Sequence, residues 1–101
     1  MRDPYLEGGK WYIDKDPDDQ LFYSANVAEE LSVMGTTLAS VEVIVTGLTK
    51  LGEPVISGTK GTVKLGGLDL GTNALNNCVF RFTCANTERF DRTIHFKRLE
   101  Q

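Results

Sequence analysis

The sequence has few of the residues from which small chemical sites are built. It contains one histidine, two cysteines and one tryptophan among its 101 residues. A structural zinc site needs four nitrogen or sulfur ligands, and a catalytic one needs three plus water. We therefore expect no zinc centre, and any mechanism that needs an imidazole has to use His95.

The two cysteines, Cys78 and Cys84, are too far apart in the chain to pair. Both belong to a segment that is typical of one β-strand, where about 3.3 Å per residue separates them by about 20 Å. A disulfide needs Cα atoms within about 7 Å of each other. We therefore expect two free thiols that act as small buried hydrophobic side chains. Free thiols without an apolar leader segment are typical of a protein that folds in a reducing cytoplasm.

Long apolar runs and an excess of basic residues are also missing. No segment approaches the roughly 18 consecutive apolar residues of a membrane helix, so no membrane partner is expected. The formal net charge is −3, whereas a surface that binds nucleic acid usually has a basic face. The 41% of hydrophobic residues is enough for one domain with its own core.

What the sequence does have is ten glycines and many short runs of Val, Ile, Phe and Tyr. Turn signals recur about every 8–12 residues, which is typical of a β-sandwich or barrel. Strands are predicted at 10–13, 21–27, 38–47, 48–57 (broken at Gly52 and Pro54), 62–67, 77–86 and 92–99. Residues 28–35 predict at most one short helical turn.

The pattern as a whole predicts an all-β fold. About seven antiparallel strands in about 100 residues are typical of an immunoglobulin-like β-sandwich. We assign this domain to residues 14–101 and expect an N-terminal arm or short first strand over residues 1–13.

The last two strands are predicted to form a hairpin. Apolar residues alternate along both of them, and those expected on the inner face are Cys78, Phe80, Phe82, Cys84, Ile94 and Phe96. The register that buries this set pairs Phe82 with Phe96, Cys84 with Ile94 and Thr83 with His95. A slip of one residue would bury His95 and Lys97, so this register is preferred. It places His95 and Cys84 on opposite faces, which argues against a thiol–imidazole dyad.

Acidic residues cluster in residues 14–19, DKDPDD. Aspartates at alternate positions match the first three ligands of an EF-hand loop, but Asp19 stands where that loop needs glycine and Ala25 stands where it needs glutamate. A catalytic carboxylate pair needs a cleft and two unlike environments, and nothing in the sequence indicates either. We interpret the segment as an Asx/Pro turn that leads into the next strand. We expect no catalytic residue, metal or cofactor, and whether the turn binds a cation stays open.

Several segments, taken in order, resemble a family of structural proteins of tailed bacteriophages. They are KDPDDQLFYS, LASVEVIV, TVKLGG, a Phe-rich strand and FDRTIHFKRLE, within residues 14–100. The family comprises small immunoglobulin-like proteins encoded among head, neck and tail morphogenesis genes, often labelled fibre–tail adaptors or head–tail proteins. The chain departs from it where Ala28 and Lys64 stand in place of frequent tryptophans. The resemblance implies a virion protein made in the host bacterial cytoplasm, with no catalytic residues.

The expected function is therefore a non-enzymatic adaptor at the head–tail or tail–fibre junction. Its expected partners are other virion proteins and copies of itself. Candidate contact residues lie in the N-terminal arm, the 48–57 edge and the 68–77 loop, and they are Tyr5, Leu6, Trp11, Tyr12, Leu51, Val55, Leu68 and Leu70. Trp11 and Tyr12 have a second interpretation, in which they cover the core of their own domain. The alternative function is a carbohydrate- or cell-surface-binding module, for which Asn73, Asn76 and Asn77 are the sequence signal.

Overall fold

A computed structural model describes residues 4–15, 20–68, 71 and 75–98. Within these ranges the chain forms nine strands and one helix. The elements are β1 (Tyr5–Glu7), β2 (Lys10–Lys15), β3 (Leu21–Asn26), α1 (Ala28–Met34), β4 (Leu38–Thr46), β5 (Thr49–Lys50), β6 (Val55–Ser57), β7 (Lys60–Gly66), β8 (Asn77–Cys84) and β9 (Arg89–Arg98). The described chain is thus mostly β with one short helix, which is compatible with the predicted all-β fold. Residues 16–19 of the acidic turn lie outside the described residues.

The strands form two sheets. The larger sheet has the strand order β1-β2-β9-β8-β4, and the smaller has the order β3-β7-β5, with β6 also paired to β7. Apolar side chains from both sheets belong to one core, so the architecture is compatible with a β-sandwich. The described part of the predicted arm forms β1 and most of β2.

The core lies between the inner faces of the two sheets. The ring of Tyr23 on β3 meets the ring of Phe96 on β9 edge-on, with centroids 5.3 Å apart. A Cβ atom added to Gly61 on β7 would stand only 2.8 Å from the ring of Phe82 on β8. Glycine at this position therefore lets the two sheets approach closely. The residues predicted on the inner faces of β8 and β9 are buried, as expected.

Strand β2 pairs with β9 in parallel, which corrects the prediction of antiparallel strands throughout. Trp11 lies opposite Ile94, and Ile13 lies opposite Phe96. A tight hairpin joins only antiparallel neighbours, but β2 and β9 come from opposite ends of the described chain. Alternation of apolar residues locates both strands without fixing their relative direction, so the sequence pattern could not show this pair.

The β8–β9 hairpin has the predicted faces but a different register. The observed pairs include Phe82 with Phe90, Cys78 with Ile94 and Asn77 with His95, so the predicted pairs of Phe82 with Phe96, Cys84 with Ile94 and Thr83 with His95 were wrong. The displacement is an even number of residues, and each side chain therefore keeps its predicted face.

The cause of this shift is a shorter loop than the sequence suggested. Strand β9 begins at Arg89, three residues before the predicted start. The N–H of Thr87 donates to the C=O of Cys84 at 2.9 Å, and Thr87 has a left-handed φ of 72°. A turn followed by a left-handed residue is the usual three-residue hairpin loop. Residue 87 is a threonine and not a glycine or asparagine, so its type did not indicate a left-handed conformation.

Two further differences concern the number of strands and the helix. The predicted strand at 48–57 is two short strands, β5 and β6, which both pair with β7. The described residues therefore form nine strands, where about seven were predicted. Helix α1 has seven residues, more than one turn, and is capped after Met34 by Gly35, whose φ is 68°. Leu31, only 5% exposed, holds the helix against the core.

Candidate interaction surface

The structure distributes the predicted contact residues over separate parts of the fold. The β1–β2 hairpin carries Tyr5, Leu6, Trp11 and Tyr12. Leu51 lies before β6, Val55 lies in β6, and Leu68 follows β7. Leu70 lies outside the described residues. Leu6 and Val55 are strongly exposed, at 60% and 59%. Trp11 and Leu68 pack against the core. The structure therefore brings together the four residues of the hairpin and keeps them apart from the rest.

The hairpin depends on two consecutive glycines. Gly8 and Gly9 have φ values of 57° and 81°, and Glu7 lies opposite Lys10. Two residues with positive φ between paired strands form a type I′ turn, whose twist matches that of the strands. The turn fixes β1 as the outermost strand on this side of the larger sheet.

Polar contacts fasten the outer face of the hairpin to the rest of the sheet. The Tyr5 hydroxyl donates to Asp14 Oδ1 at 2.9 Å. This hydrogen bond, with a smaller effect of burial and of the Asp14 charge, raises the pKa of Tyr5 above its ordinary value. Lys97 Nζ lies 3.4 Å from the carboxylate of Glu7 and 4.4 Å from the centroid of the Tyr12 ring.

The same surroundings change the pKa of Lys97. Desolvation lowers the pKa of Lys97, but the hydrogen bond and charge of Glu7, together with Tyr5 and Tyr12, raise it above its ordinary value. The ammonium group therefore stays charged on the outer face and ties β9 to β1.

One row of outward-facing side chains crosses all five strands of the larger sheet. Its members are Tyr5, Tyr12, His95, Asn77 and Thr46, in the order of the strands. The ring centroids of Tyr5 and Tyr12 are 6.1 Å apart, and those of Tyr12 and His95 are 5.6 Å apart. The row ends at the sheet edge with Tyr5, which is 38% exposed. His95 thus belongs to the outer face, whereas both thiols are buried in the core.

A second row crosses the inner face of the same sheet. It consists of Leu6, Trp11, Ile94, Cys78 and Val45. Ile94 and Cys78 at its centre are fully buried, while Leu6 at the β1 end is exposed. The apolar face of the sheet therefore continues to its edge at β1, beyond the part that the core covers.

Arg92 occupies an inner-face position close to Trp11. Its guanidinium carbon lies 4.6 Å from the centroid of the Trp11 ring, and the same group forms an ion pair with Glu30 of α1. Arg92 is only 8% exposed. Two neighbouring clefts of about 340 and 210 Å³ share Trp11, Asn26 and Arg92 in their walls.

Arg92 was not predicted to lie on the inner face, although the sequence carries a signal for that position. Arg92 lies two residues before Ile94, so period-two alternation places both on the inner face. A charged residue at such a position indicates either a polar partner or an opening of the core. The structure shows both, because Glu30 pairs with Arg92 and the clefts begin there.

On the other side of the fold, β4 is the outermost strand of the larger sheet and lies near β6 of the smaller sheet. Ile44 on β4 and Leu51 before β6 are 42% and 40% exposed. The N–H of Leu51 donates to the C=O of Lys64 at 2.9 Å. This bond holds the segment between β5 and β6 against β7, and Val55 itself lies opposite Thr62 of β7.

Among residues 4–15, 20–68, 71 and 75–98, no group of three His, Cys, Asp or Glu side chains is placed to hold a metal ion. The described helix is too short to cross a membrane.

The chain was compared with models of known protein families, with curated proteins and with solved structures, and none of them matches.

Proposed function

We propose that the chain is a non-enzymatic structural protein of a tailed-bacteriophage virion, and that it acts as an adaptor at the head–tail or tail–fibre junction. The ordered resemblance of residues 14–100 supports the choice of family. The structural support is an all-β body in which both described sheets present exposed apolar residues at or beside their edges.

The observation that carries the proposal is the exposed edge of the larger sheet at β1. Leu6 prolongs an apolar row that is buried at its centre, and 60% of Leu6 is exposed. An aliphatic side chain next to open backbone groups is the kind of surface on which another chain adds a strand. Contact at this edge would bury apolar area and satisfy backbone hydrogen bonds together.

The proposal includes an immunoglobulin-like arrangement of the strands. The chain leaves the larger sheet after β2, enters the smaller one at β3, and returns to the larger one at β4. It crosses again to form β5, β6 and β7 and returns for β8 and β9. Repeated exchange of strands between two packed sheets is common to β-sandwiches of this kind.

The alternative of a carbohydrate-binding module receives less support from the side chains. The rings of Tyr5, Tyr12 and His95 are tilted against one another across neighbouring strands, at 31° and 41°. Such rings pack mainly on each other. Asn73 lies outside the described residues, and Asn76 and Asn77 are half-buried.

The test is to look for the chain in particles. A phage that encodes this chain is grown, its particles are purified by density and size, and the chain is quantified by mass spectrometry. We expect a fixed copy number per particle and loss of complete particles when the gene is deleted. A chain found only in the soluble lysate, with complete and infectious particles formed without it, would contradict the proposal.

A pair of variants connects the test to the β1 edge. Leu6→Lys places a charge at the edge, and Val33→Lys places the same charge on a residue of α1 that is 89% exposed and outside the candidate contact segments. We expect Leu6→Lys to lower incorporation into particles about tenfold, the effect of about 1.4 kcal/mol at an interface. Val33→Lys is the matched control and is expected to be incorporated normally.

A further inference from the structure

Within the described residues, neither terminal strand of the larger sheet has a second strand partner in that sheet, although β6 of the smaller sheet lies near β4. Over the described residues β1 pairs only with β2, and in this sheet β4 pairs only with β8. Exposed edges are normally protected by charged residues, proline or short length. β4 is nine residues long, with Glu42 as its one charged residue and no proline. Its composition is that of a strand with a neighbour on each side.

The two edges run in opposite directions. β1 is antiparallel to β2, β2 is parallel to β9, and β8 is antiparallel to both β9 and β4. β1 and β4 are therefore antiparallel to each other within one sheet. A second copy placed beside the first, with its inner face on the same side, brings its β1 antiparallel to β4. The contact joins two different surfaces, so it repeats from copy to copy and closes into a ring or continues as a helix.

The backbone groups of β1 suit this pairing. Glu7 and Lys10 flank the two-residue turn and form a hydrogen-bonded pair. Because such pairs alternate with non-hydrogen-bonded ones, the N–H and C=O of Leu6 point away from β2.

In β4, every second residue also directs its N–H and C=O groups away from the neighbouring strand β8. The N–H of Cys84 donates to the C=O of Glu88 at 2.8 Å, so the even-numbered residues of β8 bond to β9 and the odd-numbered ones bond to β4. The β4 residues opposite those odd-numbered ones are Ser40, Glu42, Ile44 and Thr46. The remaining residues, Val41, Val43 and Val45, direct their N–H and C=O to the open side. Leu6 opposite any of these valines gains two hydrogen bonds and an apolar neighbour on the inner face.

Charge and regularity select one register. Leu6 opposite Val43 would set Glu7 against Glu42, and facing like charges are unfavourable. Leu6 opposite Val41 would place the contact beside the irregularity between Leu38 and Ser40. Leu6 opposite Val45 instead sets Glu7 beside Ile44 and Tyr5 beside Thr46. This register prolongs both the inner and the outer row of the sheet.

We propose that β1 of one copy of the chain pairs antiparallel with β4 of the next, with Leu6 opposite Val45, so that the larger sheet continues from copy to copy. This inference rests on the proposed function for its role in a particle and adds to it the partner and the register. The contact has one hydrogen-bonded pair and two flanking pairs. It is therefore weak for two copies alone and depends on a ring or a high local concentration.

Disulfide trapping tests the pairing, because the native thiols are buried. Glu7→Cys and Ile44→Cys would face each other across a non-hydrogen-bonded pair, with Cα atoms about 4.5 Å apart, within the range for a disulfide. The full chain is oxidised mildly at high concentration. The double variant is expected to give a ladder of cross-linked oligomers, and a mixture of the two single variants is expected to give dimers.

Two matched variants make the result specific. Glu7→Cys with Ser40→Cys displaces the second thiol by about 13 Å along β4 and should give no ladder. Leu6→Pro removes an N–H that β2 does not use, whereas Leu6→Ala keeps it. In the double-cysteine background we expect Leu6→Pro to abolish the ladder and Leu6→Ala to leave it visible.

The outcomes separate this inference from the proposed function. Homodimers of either single variant alone would show pairing of like edges and overturn it, as would monomers in every sample. A chain that is incorporated into particles without forming the ladder would overturn the edge contact and leave the adaptor role in place. A ladder from a chain absent from particles would support the contact and contradict the role.

Discussion

Single residues set the distance between the two sheets. The clearest is Gly61, where a Cβ atom would stand 2.8 Å from the aromatic ring of Phe82. Phe82 is fully buried and stacks on both Phe80 and Phe90, so its ring has little room to move. The two sheets can therefore pack this closely because residue 61 is a glycine and has no Cβ atom.

Replacing Gly61 by alanine should destabilise the protein. We expect the free energy of unfolding to fall by about 1–3 kcal/mol, since the added methyl group forces the Phe82 ring or the β7 backbone to shift. Gly52→Ala is the matched control, because nothing lies within 4 Å of its Cβ position. Urea unfolding followed by circular dichroism measures both, and equal stability of the two variants would contradict the packing argument.

The buried thiol of Cys78 makes the free energy of unfolding depend on pH. Burial raises the pKa of its thiol to about 12 from an ordinary value of 9.0. Because the folded state holds this proton more tightly, the stabilisation is complete below about pH 9 and is lost as the pH rises towards 12.

We therefore expect the free energy of unfolding to decline above pH 9, by at most about 1.4 kcal/mol per pH unit from this group. Cys78→Ala should flatten the decline, although the variant starts about 1 kcal/mol less stable at pH 7. Unfolding titrations between pH 7 and 11 test this expectation. The same decline in both proteins would show that other groups cause it.

At the scale of the elements, the β1–β2 hairpin depends on a backbone conformation that most residues avoid. Gly8 and Gly9 both have positive φ, and a left-handed conformation costs an ordinary residue about 1–2 kcal/mol. Asparagine followed by glycine suits the same turn.

We expect Gly9→Ala to loosen β1 while the rest of the larger sheet stays folded. Gly8→Asn is the matched substitution and should preserve the hairpin. Amide hydrogen exchange of Tyr5 and Tyr12 reports on the pair, and equal protection in the two variants would contradict the assignment of the turn.

Helix α1 is tied to the larger sheet through the ion pair between Glu30 and Arg92 over the ring of Trp11. Glu30→Ala should lower stability by about 1.5–3 kcal/mol, since it leaves a largely buried guanidinium without its carboxylate. Adding Arg92→Met should restore part of the loss, because no uncompensated charge remains. The double-mutant cycle measures this coupling, and fluorescence of the one tryptophan reports on the stacking of Arg92. Additive losses would mean that the pair is not coupled.

The sequence predicted the elements better than their partners. Alternation identified the inner faces of β8 and β9, because a half-buried strand leaves that pattern in its own residues. The register of β8 and β9 depended on the conformation of Thr87, which its residue type does not reveal. The position of Leu6 and Tyr5 on a hairpin at the sheet edge was missed as well, since Gly8 and Gly9 were interpreted only as the boundary of the strand predicted at 10–13.

The parallel pairing of β2 with β9 makes β2 a part of the folded domain and not only one arm of the β1–β2 hairpin. Ile13 is 2% exposed and belongs to the core cluster. Removal of residues 1–9 deletes β1 and leaves β2 beside β9. Removal of residues 1–15 also deletes β2 and exposes the inner face of β9.

We expect the shorter truncation to leave a cooperatively folded chain and the longer one to abolish cooperative unfolding. Thermal unfolding followed by circular dichroism distinguishes the two. A longer truncation that still unfolds cooperatively would mean that β2 is an appendage of an independent domain.

Because Trp11 of β2 lies opposite Ile94 of β9, the larger sheet cannot be completed during synthesis until β9 has been made. The partner of β2 is synthesised after all the other described strands, and pairing between residues so distant in the chain is slow compared with hairpin closure. Until then, the nascent chain exposes the unpaired side of β2 together with its aromatic residues. Conditions that lengthen this interval, such as strong overexpression, should favour aggregation, and slower translation or added chaperones should raise the yield of soluble protein.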